Sequence, residues 1–473
     1  MFDKFKEECG VFGIINNHKA KELTNLALHS LQHRGQEASG IAFEAENKEI
    51  KCIKHYGLAL QGLSDLVASD ADKTSIAIGH VRYSTSGSKS FTDIQPFTAK
   101  IKGADIALAH NGNLVNADDV RAQLLKQGAV FNTNIDSEVF LHLIARSRFE
   151  EIEDKIKDAC SIIKGAYSIV IIYQGKLIAF RDPNGIRPLS IGMIDSQGQT
   201  SYVVASETCA FDITGAKFVK NIEVGELIVI SAAGGKCEVK SGLICGKEQI
   251  KRKFCVFEYI YFARPDSVLE GNSVYEVRKA FGKILAQRMQ PLLLKIKPDV
   301  VVPVPDSGVP SALGFSLESG ISFDLGLIRS HYSGRSFIAP SQDMREFKVK
   351  TKHNVNTHII KDKKVVLVDD SIVRGTTSKQ IIKMVKEAGA KEVHLVISSP
   401  PTIHPCFYGI DTPNADDLIA NKFNSDTDKI ASYLGVDSLT YLSLEDVYEV
   451  IKTHTKDQFC DMCFTKKMVV AAV

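Results

Sequence analysis

Long apolar runs are missing from this 473-residue chain, and none approaches the roughly 18 consecutive apolar residues of a membrane span. The N-terminus, MFDKFKEE, lacks the apolar core of a secretory signal peptide. Both absences lead to the expectation of a cytoplasmic protein with no membrane partner. Cysteine is scarce. Ten in so long a chain fall far below the density of a secreted disulfide scaffold, so metal, cluster and catalytic roles take priority. An excess of one charge is lacking too, because Lys plus Arg number 58 against 56 Asp plus Glu. No global basic field points to nucleic acid, and an anionic ligand has to be held locally. Internal repeats and low-complexity stretches are also absent.

The length suggests two or three domains at about 150 residues each. The stretch around which the rest is organised is Lys364 to Ser378, KVVLVDDSIVRGTTS. Four apolar residues run into Asp369 and Asp370, and a loop with Arg374, Gly375, Thr376 and Thr377 follows. Helical spacing then continues through Ile381, Ile382, Met384, Val385 and Ala388. With Gly389 as a stop and Lys391 to Ser398 as the next strand, the unit reads βαβ on a parallel sheet. Ligands of such sheets bind beyond the carboxyl ends of the strands, where the two aspartates fall. The Gly375 to Ser378 segment suits a phosphate at a helix N-terminus. The paired carboxylates suit two sugar hydroxyls or a hydrated Mg²⁺. The whole string resembles the phosphoribosyl diphosphate (PRPP) signature of type I phosphoribosyltransferases. That resemblance makes Asp369, Asp370, Arg374, Gly375, Thr376, Thr377 and Ser378 the PRPP-binding set.

In the N-terminal half, EECGVFGI sets Cys9 before a strand-like run. LQHRGQEASGIAF, GHVRYSTSG, LAHNGNL and NIDSEVF follow. In this order they resemble the motifs of class II glutamine amidotransferases, which are N-terminal-nucleophile hydrolases. The resemblance implies an αββα fold and removal of Met1 to Glu8 as a propeptide, leaving Cys9 with a free α-amine. An α-amine titrates near about pH 8, so part of it is neutral and able to take the thiol proton. By the same resemblance Arg82 pairs with the glutamine α-carboxylate and Asp136 accepts from its α-ammonium group. Asn111 and Gly112 form the oxyanion hole. Gly35, in the HRGQ turn, lets backbone approach the substrate closely.

From Ala159 to Ile230 the chain reads as β-rich, with turn signals such as DPNG at Asp182 to Gly185. Cys52, Cys160, Cys209, Cys237 and Cys245 show no motif spacing and read as structural. Gly and Lys enrichment with weak periodicity places a domain boundary within Ser231 to Lys253. The expected domains are 9–240 and 251–473. Next, CVFEYIYFARPDS (Cys255 to Ser267) reads as a near-continuous strand and a turn, and helical spacing runs from Val274 to about Leu294. PDVVVPVPDSG (Pro298 to Gly308) reads as a buried strand opening into a small-residue loop. Its position matches the pyrophosphate loop of phosphoribosyltransferases. That match makes Ser307 a Mg²⁺ contact beside Asp369 and Asp370, whereas Asp306 reads as a turn residue.

Leu327 to Val355 is basic and aperiodic, and on composition alone reads as a solvated loop. It resembles the flexible catalytic loop of amidophosphoribosyltransferases, which implies that Arg329, Arg335, Arg345 and Lys350 close over PRPP and its leaving pyrophosphate. Cys255, Cys406 and the CxxC of Cys460 and Cys463 complete a four-thiolate set compatible with an iron–sulfur cluster or zinc. Resemblance to Bacillus-type members of that family implies a 4Fe–4S cluster, with Zn²⁺ as the alternative. The two halves together resemble the amidophosphoribosyltransferase family, whose substrates are glutamine and PRPP. The family pattern also implies a homotetramer and feedback inhibition by purine nucleotides. A purine-sensing repressor is disfavoured, since amidotransferase motifs fill the N-terminal half where a DNA-binding domain would stand.

Overall fold

The structure is a computed structural model that describes residues 9–69, 72–83, 90–196, 198–330, 353–412 and 414–470. The propeptide expected at Met1 to Glu8, the Ser84 to Gly87 part of one motif, and Arg335, Arg345 and Lys350 lie outside the described residues.

Cys9 leads directly into Gly10–Ile15, a strand buried along its whole length. It occupies the middle of a seven-stranded antiparallel sheet, between Ile76–Arg82 and Gln199–Ala205. A six-stranded antiparallel sheet containing Ala104–Leu114 and Gly165–Tyr173 packs against it. Val11, Ile15 and Ile78 of the first sheet meet Ala107, Val170 and Ile228 of the second in one buried cluster. On the outer face of the first sheet, Phe12 and Ile14 pack with Leu28 and Phe211 of the helices Ala20–Ser30 and Cys209–Thr214. Helices Ala117–Lys126, Asp136–Arg146 and Ile152–Cys160 cover the second sheet in the same way. The four layers are the expected αββα arrangement.

The expected boundary stretch is partly regular structure. Glu226–Ala233 and Lys236–Leu243 pair antiparallel, and the latter forms the edge of the six-stranded sheet. That edge strand is almost wholly exposed, so it carries no apolar alternation to read.

The C-terminal half is built on a four-stranded parallel sheet in the order Val300–Pro303, Lys364–Asp369, Glu392–Ile397, Ser438–Tyr441. Helix Thr376–Glu387 makes the crossover and buries Ile381, Ile382 and Val385. The long helix Val274–Ile296 runs as the periodicity predicts. The Cys255 segment differs from its reading. Only Phe254–Cys255 is strand, paired parallel with Phe459–Cys460, and Glu258–Phe262 is a π-helical turn. Four of those five turn residues are buried, and an apolar run hidden on every side has no period to tell strand from helix. Arg278 stabilises the turn by donating from Nε to Tyr259 O (2.7 Å) and from Nη2 to Ala263 O (2.8 Å). No helix among the described residues is long and apolar enough to cross a membrane.

Candidate active sites and cysteine centre

Strand ends and one helix N-terminus meet at a cavity lined by Cys9, Arg82, Tyr83, Asp93, Gln95, His110, Gly112, Asn113, Ile135 and Asp136. The Cys9 Sγ lies 3.7 Å from Tyr83 O. Burial pushes its thiol up to about 11, so at neutral pH it is protonated and needs a base before it can attack. Arg82 is buried at the end of its strand, 3.8 Å from Asp93. Asp136 opens the helix Asp136–Arg146. Its Oδ2 accepts from Leu114 N (2.8 Å) and its Oδ1 accepts from Ser137 Oγ (3.2 Å). His110 Nδ1 sits 2.8 Å from Ser137 Oγ. A guanidinium and a carboxylate on the wall of one cavity beside a thiol complement the two charges of an α-amino acid.

Asn111 stands opposite Ser168 in the six-stranded sheet and is wholly buried. Neither atom of its side-chain amide has a partner among the described residues. Leaving such a group unpaired costs about 1–3 kcal/mol per donor or acceptor, and a ligand oxygen would relieve the Nδ2 donor. Gly112 lines the cavity directly and Asn111 does not. At Gly112 φ is +142°, and a Cβ would fall 2.0 Å from Ala166 O, so only glycine fits. At Gly35 a Cβ would lie 2.7 Å from the backbone of Val81 and Arg82, so this glycine lets the turn seat the strand end that carries Arg82.

Sequence reasoning missed Arg34. It is fully buried, donates from Nε to Cys9 O (3.2 Å), and grips Glu258 with two bonds of 3.0 and 2.6 Å. It also pairs with Glu207, which accepts from Ser267 Oγ (2.7 Å) and Arg264 N (2.9 Å) and lies 2.7 Å from His33 Nε2. Arg187 lies 3.5 Å from Glu258. Burial works against the Glu207 carboxylate, but His33 and Arg34 hold it well below the usual carboxylate range. This buried network joins the two halves across residues with no sequence proximity. Its one visible signal was a pair of glutamates set in apolar surroundings, in ASETC and VFEYI.

Asp369 and Asp370 are buried at the carboxyl end of Lys364–Asp369. Ser371 Oγ donates to Asp370 (2.5 Å), and Asp370 N donates to Asp369 Oδ1 (2.9 Å). The loop bearing Ser307 folds over the same edge, with Val304 N donating to Val368 O (2.8 Å) and Gly308 N to Val304 O (3.0 Å). Gly375 caps the helix that begins at Thr376, Thr377 follows, and Ser378 is buried in its first turn. Arg374 pairs with Asp417 at 3.5 Å. Asp306 does more than turn the chain: it pairs with Arg329 at 2.5 Å. Leu327–Arg329 pairs antiparallel with His353–Val355, so the basic loop leaves and re-enters at this edge. Two carboxylates and a hydroxyl are hard oxygen donors that fit Mg²⁺ sharing its shell with water and a diphosphate.

Cys255 and Cys460 are partners in the two-residue parallel ladder. Ile403 N and His404 N both donate to Cys463 O, at 2.9 and 3.1 Å, which draws the Cys406 loop toward the CxxC. Cys255, Cys460 and Cys463 lie in one buried cluster, with Cys406 packed against it. Burial pushes the Cys255 thiol up to about 11 and the other two well up, and the neighbouring cysteines add to this. Four thiols on converging segments supply the donor chemistry of a four-thiolate centre. Among the described residues no group of three or more His, Cys, Asp or Glu is placed to hold a metal ion, so the match is one of donor chemistry and of converging segments. Cys52, Cys160, Cys209, Cys237 and Cys245 are free thiols outside this cluster.

Residues 80–212 match the glutamine amidotransferase domain family, and residues 269–399 match the phosphoribosyl transferase domain family. The amidophosphoribosyltransferase of Rhizobium etli is 46% identical over 474 residues, covering 98% of this chain and 92% of its own. That of Bacillus subtilis is 45% identical over 463 residues, covering 97% and 92%. A solved structure of glutamine PRPP amidotransferase from B. subtilis, complexed with ADP and GMP, aligns with a TM-score of 0.89 at 43% identity over 98% of each chain.

Proposed function

This chain belongs to the amidophosphoribosyltransferase family, which carries out the first step of purine biosynthesis, and on that premise we propose how its residues divide the work. The division into an amidotransferase domain, 9–240, and a phosphoribosyltransferase domain, 251–473, is part of this reading. Removal of Met1 to Glu8 frees the Cys9 α-amine. Arg82 takes the glutamine α-carboxylate and Asp136 its α-ammonium group. The amine accepts the thiol proton, the thiolate adds to the carboxamide carbon, and the oxygen that gains charge is met by the Asn111 amide and the Gly112 N–H. The proton then passes to the leaving ammonia, and water hydrolyses the thioester to glutamate.

Ammonia passes inside the protein to the second site and displaces pyrophosphate from C1 of PRPP with inversion, giving 5-phosphoribosylamine. Arg374, Gly375, Thr376, Thr377 and Ser378 hold the 5′-phosphate at the helix N-terminus. Asp369 and Asp370 accept from the ribose hydroxyls and, with Ser307, would hold Mg²⁺, which when bound neutralises charge on the leaving pyrophosphate. Arg329, Arg335, Arg345 and Lys350 bring further positive charge as the loop closes.

Cys255, Cys406, Cys460 and Cys463 would hold a 4Fe–4S cluster, with Zn²⁺ as the alternative, tying the C-terminal tail to the centre of the chain. The reading also places the protein in the cytoplasm as a homotetramer restrained by purine nucleotides. The ADP and GMP in the B. subtilis structure support nucleotide binding. The observation that carries the glutaminase assignment is the buried Asn111 amide, without a partner among the described residues, directly before Gly112, which lines the cavity that holds Cys9. Pyrophosphate release from PRPP tests it. Cys9→Ser should abolish release driven by glutamine and keep release driven by ammonia, and equal loss of both would reject the assignment.

A further inference from the structure

The loop Phe407–Gly409 follows Cys406 and belongs to the half that handles PRPP, yet its backbone is held residue by residue by the glutaminase half. Asn113 Nδ2 donates to Phe407 O at 2.9 Å. Arg187 donates from Nε and Nη2 to Tyr408 O, at 2.9 and 2.5 Å. Gly409, at φ +109°, lies so close that a Cβ would sit 3.1 Å from both Cα and C of Gly112. The far side of the loop is pinned as well. Tyr408 OH accepts from Val469 N and Val470 N, both at 2.9 Å, and donates to Val470 O at 3.1 Å.

We infer that Phe407–Gly409 is the back wall of the oxyanion hole, and that Gly409 and Arg187 are positioning residues for the Gly112 peptide. The inference rests on the reading of Gly112 as an oxyanion donor. Gly112 is confined between Ala166 O on one side and Gly409 on the other. An oxyanion donor works only if its N–H is already aimed when charge develops, and misplacement by about 1 Å can cost about 100-fold in rate. A wall built from the other domain therefore makes glutamine hydrolysis depend on how the two halves are seated. Substrate binding falls to other elements, with Arg82 at the end of Ile76–Arg82 and Asp136 at the start of Asp136–Arg146, the latter joined to the Gly112 strand at Leu114 N.

The test uses the full-length mature enzyme with Gly409→Ala, and Asn111→Ala alongside. Gly409→Ala should lower kcat for glutamine by about tenfold to 100-fold. KM for glutamine and the ammonia-dependent rate should change by less than about twofold. Glutamate γ-semialdehyde, whose C=O adds the Cys9 S–H to form a tetrahedral hemithioacetal, should bind more weakly by the same factor as kcat falls, while glutamate binds as before. Equal loss of the glutamine and ammonia activities, or a wild-type kcat, overturns the wall. Wild-type glutamine hydrolysis by Asn111→Ala would instead overturn the oxyanion reading beneath it. Should Gly409→Ala not fold, Arg187→Lys keeps the charge beside Glu258 but replaces the two-pronged grip on Tyr408 O. It should show the same split to a smaller degree, and parallel loss of both activities overturns the proposal.

Discussion

At Cys9, burial and chemistry pull in opposite directions. The burial of its sulfur raises the thiol to about 11, where almost none is ionised at physiological pH. A base within reach of Sγ resolves this, and the free α-amine of a processed Cys9 is such a base. Asn111→Ala should lower kcat for glutamine by about 100- to 1000-fold, with KM little changed, as measured by glutamate formation at saturating PRPP. Glu207 gives a prediction in pH. Its folded value lies below its unfolded one, so its stabilisation is present above about pH 4.3 and is lost as pH falls toward the folded value. Glu207→Gln should destabilise the protein by about 3–5 kcal/mol at pH 7.5, and the gap to wild type should narrow below about pH 4, read from urea midpoints. That Cys9, Arg82, Gly112 and Asp136 belong together was legible because each sits in a short motif whose order along the chain is distinctive, and the fold brings the four to one cavity. Arg34, Glu207 and Glu258 were not, since a buried ion pair is made by the fold and leaves no spacing in the sequence.

Among the elements, the strand–loop–helix from Lys364 to Glu387 was readable because its apolar run, its small-residue loop and its 3.6-residue period follow one another without conflict. The π-helical turn at Glu258–Phe262 was not. Tertiary partners, Arg34 and Arg187 on Glu258 and Arg278 on the carbonyls, decide its shape. The exposed edge strand Lys236–Leu243 was missed for the opposite reason, having almost no burial to imprint a pattern. The element carrying Asp369 and Asp370 serves only the PRPP half of the reaction in this account. Asp369→Asn with Asp370→Asn should reduce ammonia-dependent phosphoribosylamine formation by at least about 100-fold. Covalent labelling of Cys9 by a glutamine-like electrophile should continue, and loss of labelling together with synthesis would mean that the two sites are not separable in this way.

Across the whole molecule, buried ion pairs and the Phe407–Gly409 contacts join a glutaminase to a phosphoribosyltransferase. In this account ammonia is released beside Gly112, where the two halves meet, and should reach PRPP without mixing with solvent. During steady turnover on glutamine, an ammonia-consuming reporter enzyme in the bulk should capture under about a tenth of the nitrogen. The central claim is that an N-terminal thiol made by removal of Met1 to Glu8 drives the glutamine half of this chemistry. The most direct measurement is pyrophosphate release from PRPP by two preparations of defined intact mass, one beginning at Cys9 and one retaining Met1, each supplied with glutamine and then with ammonia. The account predicts that both use ammonia and that only the chain beginning at Cys9 uses glutamine. Glutamine-driven release by the Met1-retaining chain would contradict it.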